Sequence, residues 1–303
     1  MANRAVKKVL PYLQLMRLPA LMTAWTDCFA GLVMTHSAFE PITEYVLLML
    51  ATTGLYLAGM VFNDVFDVEI DRRERPERPI PSGRVTPRNA IVTGVVLLAM
   101  GLGSAAAMGR NTLILAALLT VCIFAYDAGL KRTLLGPFAM GGCRFLNILM
   151  ASSAIGHWNS IWTRPQLGLA AGIGIYIVGI TFFARSEATT SRRGLLILGM
   201  LLSNAGVAVL IWLINVWPGA PGTEARVLIG LGAILVIQNR RWAQAVMQPE
   251  AKLVQAGVRS GLTALIFFDA LMVYYKWGDP VWAIVTVAAV IPALLLGRWI
   301  SMT

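Results

Sequence analysis

The sequence predicts an all-α integral membrane protein, folded as a single bundle of transmembrane helices. Of its 303 residues, 57% are hydrophobic and 13% charged, with a mean hydropathy of +0.70, which excludes the composition of an ordinary soluble domain. Apolar runs of about 17 to 22 residues recur along the chain, the length a helix needs to cross about 30 Å of hydrocarbon. The net charge of +10 does not mark a nucleic-acid binder. The cations fall between apolar runs instead of forming one basic stripe, so the expected partner is the lipid bilayer.

Ten spans follow in order: 17–36, 43–62, 88–108, 112–128, 137–157, 166–185, 195–215, 224–241, 257–275 and 280–298. Turn chemistry separates them at Pro41, Pro76 to Pro87, Gly136-Pro137, Pro165, Pro218 to Gly222 and Asp279-Pro280. The whole chain, 1–303, reads as one domain with loops at 63–87, 129–136, 186–194 and 242–256. With the N-terminus inside, those loops collect the Arg72 to Arg88 group, Lys131, Arg132, Arg192, Arg193 and Lys252. The opposite side receives only Arg110, Arg164, Arg226 and Lys276, so the positive-inside rule makes these loops cytoplasmic. Arg17 and Asp27 interrupt the first apolar run and no small-residue cleavage site follows, so it reads as a retained span. Cys28, Cys122 and Cys143 lie inside apolar runs without metal-ligand spacing and read as packing residues.

The second span ends in Phe62-Asn63-Asp64-Val65-Phe66-Asp67-Val68-Glu69-Ile70-Asp71. At about 100° per residue, Asn63, Asp67 and Asp71 follow one another along a helix face, with Asp64 at its edge. Clustered carboxylates repel one another, and burying them is costly unless a cation compensates. Oxygen-only ligands at this density suit Mg²⁺ completed by waters and phosphate oxygens. The competing reading is a solvated helix end whose acids pair with Arg72, Arg73, Arg75 and Arg78. Ionisable residues at membrane depth favour the functional reading.

The run Asn63 to Asp71, followed by R-R-E-R-P-E-R-P-I-P-S-G-R-V-T, closely resembles the first Asp-rich signature and loop of the UbiA prenyltransferase superfamily. The resemblance extends to Met16-Arg17-Leu18-Pro19 and to Tyr126, Lys131 and Arg132, and covers the chain to about residue 275. Within the superfamily the chain is most similar to the EboC-like branch through Tyr126 to Arg132, Gly136-Pro137, Cys143 to Asn147 and Phe183 to Ala188. This resemblance implies nine to ten transmembrane helices around a central cavity, located in the bacterial inner (cytoplasmic) membrane with the active site facing the cytoplasm. It implies Mg²⁺-dependent transfer of a prenyl group from an isoprenyl diphosphate, such as geranylgeranyl or farnesyl diphosphate, to an unidentified aromatic or hydroxyl-bearing acceptor. Asn63, Asp67 and Asp71 would hold the metal, with Asp64 beside them in catalysis. Arg72, Arg78, Tyr126, Lys131 and Arg132 would bind the diphosphate end of the substrate.

The family's second acidic motif, two aspartates four residues apart after span six, is altered here. Glu187 takes the first position and Ser191 the second, with Arg185 nearby. Arg185 and Glu187 either contribute to diphosphate or acceptor binding, a guanidinium fork replacing metal charge, or form an ion pair at a helix end. Arg144 and Asn147, three residues apart in span five, share a face. They either contact substrate or tie the bundle together, Arg144 through Asp27 or Asp269. The alternatives in function are a catalytically altered relative that binds an isoprenoid diphosphate and a membrane transporter. The chain shows no inverted repeats to favour a transporter, and it lacks the Asp-Gly and Ala-Arg signature of a phosphatidyltransferase.

Overall fold

The computed structural model describes residues 2–185 and 193–297. Among them the chain is helical, in the order α1 (Ala2–Leu15), α2 (Leu18–Thr35), α3 (Ile42–Phe66), α4 (Val68–Glu74), α5 (Pro87–Met108), α6 (Arg110–Ala128) and α7 (Gly136–Ser152). It continues with α8 (Trp158–Ile161), α9 (Arg164–Ala184), α10 (Arg193–Val216), α11 (Glu224–Met247), α12 (Ala251–Trp277), α13 (Pro280–Ala288) and α14 (Val290–Gly297). Among the described residues seven helices, α2, α3, α5, α6, α9, α10 and α12, are long and apolar enough to cross a membrane.

Proline sets several helix starts. Pro19, Pro87, Pro137, Pro165 and Pro280 each occupy the first or second helical position, where the missing N–H costs no hydrogen bond. Thr86 adds a cap, its hydroxyl accepting from the Asn89 amide at 3.2 Å. In the packed bundle α9 lies along α10, α3 along α5, and α7 against both α2 and α9, while α12 returns to α2. Glycines permit the closest approaches. A Cβ on Gly206 would stand 2.5 Å from the Gly172 carbonyl oxygen, and one on Gly54 would stand 2.5 Å from the Gly101 nitrogen. In lipid, where burying apolar area drives little helix association, this backbone proximity supplies the dispersion contacts that hold helices together.

Four expectations are corrected. The tenth span, 280–298, is two short helices broken at Ala289, because Pro292 cannot donate to the carbonyl four residues before it. The loop expected at 242–256 is three residues, Gln248 to Glu250, because α11 and α12 run on past the arginines. Trp242 makes that extension pay: it is 1% exposed, stacks on Phe183 with centroids 5.1 Å apart and donates to the Gly257 carbonyl at 3.0 Å. The loop expected at 63–87 is helical as far as Glu74. Finally, the acidic run is not one continuous helix face, since Asp67 (φ −91°, ψ 2°) stands at a junction between α3 and α4.

Candidate functional site

A chamber of about 580 Å³ opens where the C-terminal ends of α3 and α6 meet the N-terminal part of α2. Its mouth is ionic, lined by Arg17, Asp67, Asp71, Glu74, Arg75, Arg78, Asp127, Lys131 and Arg132, and its depth is lined by apolar residues including Leu119, Ile123, Ile177, Ile180 and Leu262. Among the described residues five cations face four acids at this mouth, and Asp64 just behind the lining, paired with Arg17 and Arg78, brings the acids to five.

The acids are held by specific cations. Lys131 donates from Nζ to Asp67 Oδ2 at 2.6 Å, and Arg132 to Asp67 Oδ1 at 3.4 Å. Arg78 bridges two carboxylates, reaching Asp71 Oδ2 at 2.7 Å and Asp64 Oδ1 at 3.3 Å. Arg17 reaches Asp64 Oδ1 at 3.0 Å. Asp64 and Asp71 are each 4% exposed, so these ion pairs offset a real desolvation cost. Among the described residues no three acidic, histidine or cysteine side chains converge into a closed metal cage.

Local sequence explains how the cations are aimed. After Gly129 a single 3₁₀ turn, Leu130–Arg132, directs Lys131 and Arg132 back towards Asp67. The loop carrying Arg78 is anchored by Ile80 and Val85, which pack with Leu15, Val61 and Ala90, and by Ser82, whose hydroxyl donates to the Arg78 carbonyl at 2.7 Å. Arg17 sits between α1 and α2 in the left-handed region (φ 47°, ψ 47°). For a residue with a Cβ this costs about 1 to 2 kcal/mol, strain of the kind that collects at functional positions.

Deeper in the chamber lies a second polar group. Arg144, 9% exposed, donates to Asp27 Oδ2 at 2.8 Å and to the Thr23 hydroxyl at 2.7 Å, with its guanidinium 5.7 Å from the Tyr56 ring centroid. Asn147 accepts from the Thr52 hydroxyl at 2.9 Å and donates to the Ala24 carbonyl at 3.1 Å.

The structure therefore brings Asn63, Asp67, Asp71, Arg78, Tyr126, Lys131 and Arg132 to one chamber, with Arg144 and Asn147 on its wall. Asp64 stands just behind the lining, on Arg17 and Arg78. Arg72 is a correction: it pairs with Glu69 at 2.6 Å on the exposed side of α4, because positions three apart on a helix meet there, and Arg75 lines the chamber instead. Arg185 is a second correction, since its guanidinium donates to the Thr133 carbonyl at 2.7 Å and the Arg132 carbonyl at 3.4 Å, tying α9 to the turn after α6. Glu187 and Ser191 lie outside the described residues. Four charged chamber residues escaped the sequence reading of the site, Arg17, Glu74, Arg75 and Asp127. All sit inside stretches that carried the resemblance, and for Arg17 and Asp127 a charge among apolar neighbours was the available signal.

A helical bundle of apolar spans around a chamber with an ionic mouth defines an integral membrane protein built to receive a molecule with a charged head and an apolar body. A model of the UbiA prenyltransferase family matches residues 24–252. The chain belongs to that family. It is 36% identical over 123 residues to a digeranylgeranylglyceryl phosphate synthase of Metallosphaera sedula, covering 41% of this chain and 43% of the relative. A synthase of the same name from Ignicoccus hospitalis is 34% identical over 152 residues, 50% of this chain and 49% of the relative. The chain thus spans about half the length of the curated relatives it matches. Among solved structures, the fold is similar to a UbiA homologue from Aeropyrum pernix, with a TM-score of 0.70 and 16% identity over 83% of this chain and 94% of that one. It is also similar to a UbiA homologue from Archaeoglobus fulgidus bound to geranyl diphosphate and Mg²⁺, with a TM-score of 0.64 and 14% identity over 84% and 99%.

Proposed function

We propose that the chain transfers a prenyl group from an isoprenoid diphosphate to a hydroxyl-bearing acceptor within the membrane, and that Asn63, Asp67 and Asp71 hold Mg²⁺ against the diphosphate. The observation that carries this reading is the chamber itself, with paired acids and cations at the mouth and apolar walls below. Ionising an allylic C–O bond puts negative charge on the leaving diphosphate and positive charge on carbon. Arg78, Lys131 and Arg132, preset by Asp64, Asp71 and Asp67, oppose the first charge. Leu119, Ile123, Ile177 and Leu262 enclose the prenyl chain and exclude the water that would capture the cation. The donor set fits Mg²⁺: all three oxygen-bearing side chains line the chamber, and Asp127 Oδ2 beside them is buried without a partner. When bound, the ion supplies Lewis-acid stabilisation of the leaving group.

The names of the synthases from Metallosphaera and Ignicoccus support a glyceryl phosphate lipid over an aromatic acceptor. The Tyr126 to Arg132 and Cys143 to Asn147 stretches support placement near the EboC-like branch. Cation placement supports an orientation with the chamber mouth on the cytoplasmic side. The test supplies full-length protein in lipid nanodiscs with Mg²⁺, farnesyl or geranylgeranyl diphosphate, and geranylgeranylglyceryl phosphate or an aromatic acid. The expected result is Mg²⁺-dependent diphosphate release with the glyceryl acceptor, reduced at least about 100-fold in Asp67→Asn. Tight binding of the diphosphate without release at any chain length or acceptor would replace transfer by a binding role.

A further inference from the structure

Asp127 closes α6 and contributes to the chamber wall, yet it is only 4% exposed. Its Oδ1 accepts from Asn63 Nδ2 at 2.6 Å. Its Oδ2 has no hydrogen-bond partner among the described residues and no solvent contact. A carboxylate oxygen stripped of water and partner is expensive to keep. Among the described residues no cation donates to this oxygen, because the direct contacts of Lys131 and Arg132 go to Asp67 and those of Arg78 to Asp64 and Asp71.

The contact with Asn63 has its own consequence. A side-chain amide offers either oxygen or nitrogen to a neighbour, and a metal ion accepts only the oxygen. A carboxylate on the amide nitrogen selects one of the two orientations, and in this one the nitrogen is committed to Asp127. The amide oxygen is then the atom left for the chamber, which Asn63 also lines.

We propose that Asp127 is a fourth member of the divalent-cation site: Oδ1 fixes the orientation of the Asn63 amide, and Oδ2 supplies the cation with negative charge. This inference rests on the Mg²⁺ reading above and deepens it. Asp127 is a positioning residue for Asn63 and a ligand, direct or through one water, for the ion. Outer partners of metal ligands change metal affinity by about 10- to 100-fold when removed, and that range is expected here.

The test reads binding and not turnover. Purified full-length protein in nanodiscs is titrated with Mn²⁺ in the presence of inorganic pyrophosphate, and bound Mn²⁺ is followed by electron paramagnetic resonance. Asp127→Asn is expected to weaken Mn²⁺ about 10- to 100-fold, and the exchanged pair Asn63→Asp/Asp127→Asn to recover most of it, because one carboxylate and one amide again face each other. Mn²⁺ affinity read on folded protein, set beside its thermal unfolding midpoint, is a readout that a merely structural role would not move, and the exchanged pair stands in for the single variant should that variant fold poorly. Mn²⁺ affinity within about two-fold of the parent in Asp127→Asn, with affinity lost in Asp67→Asn, would overturn the role of Asp127 and leave the metal reading intact. A parent chain that binds no Mn²⁺ with pyrophosphate overturns both.

Discussion

Arg78 shows how much one side chain carries at the chamber mouth. Its guanidinium meets Asp71 at 2.7 Å and Asp64 at 3.3 Å, and both acids are all but shielded from water, so its removal strands two carboxylates with only Arg17 left beside Asp64. Breaking a buried ion pair from one side costs about 3 to 5 kcal/mol. Arg78→Ala is therefore expected to lower stability by about 3 kcal/mol, read as the midpoint of thermal unfolding in nanodiscs. Arg78→Lys is expected to recover part of this and not all, because an ammonium is a point charge and does not span two carboxylates as a planar fork does. Equal stability of parent and Arg78→Ala would mean that these acids are hydrated in the bilayer. Arg72, six residues earlier, gives the contrast. Its exposed pair with Glu69 is of the kind worth about 0 to 1 kcal/mol, and Arg72→Ala is expected to leave both stability and diphosphate release unchanged.

Helices meet at distances that only glycine permits, so substitutions along α9, α10 and α5 separate contact from composition. A methyl at Gly206 would collide with the backbone of Tyr176 and Gly172 at 2.5 Å, whereas one at Gly103 meets nothing within 4 Å. Gly206→Ala is expected to cost about 1 to 3 kcal/mol through overpacking. Gly103→Ala, at an open position in a helix, is expected to be neutral or to gain up to about 1 kcal/mol. Thermal unfolding of both variants under the same lipid checks the contrast, and equal losses would show that glycine is needed for something other than close approach. This scale also shows what the sequence makes legible. Long apolar runs such as Ile42 to Phe66 and Arg193 to Val216 announce their helices, because hydrocarbon thickness alone dictates their length. The break at Asp67 and the long reach of α11 to Met247 do not announce themselves. Each depends on tertiary contacts: the pull of Lys131 and Arg132 on Asp67, or the burial of Trp242. The site divides in the same way. Asn63 and the acids at 64, 67 and 71 are readable from spacing, while the pairing of Asn63 with Asp127, 64 residues apart, exists only once α3 and α6 lie side by side.

Across the whole bundle, the Arg144 cluster decides whether the chamber wall serves the ligand or the scaffold. Arg144 on α7 spends two of its nitrogens on Asp27 and Thr23 of α2, while Asn147 spends its amide on Thr52 of α3 and Ala24 of α2. Three helices are thereby joined at membrane depth, where few other polar contacts are available. Both terminal nitrogens of the guanidinium and both ends of the amide are engaged within the chain, which favours the tie over substrate contact, the two readings the sequence left open. Arg144→Met alone leaves Asp27, fully buried, without its cation, and the expected loss is about 3 to 5 kcal/mol. Asp269, also fully buried and without a hydrogen-bond partner among the described residues, shares this pocket, so the replacement must include it. Asp27→Leu, Asp269→Leu and Arg144→Met together remove every buried charge of the cluster, and buried charges exchanged for apolar residues of similar volume are often neutral or stabilising. The combined variant is thus expected to unfold close to the parent and to keep diphosphate release within about three-fold, less than 1 kcal/mol in the barrier. A combined variant that is stable yet loses release by more than about 100-fold would place Arg144 in direct contact with substrate, and the ionic mouth would then be only one of two polar sites that the ligand touches.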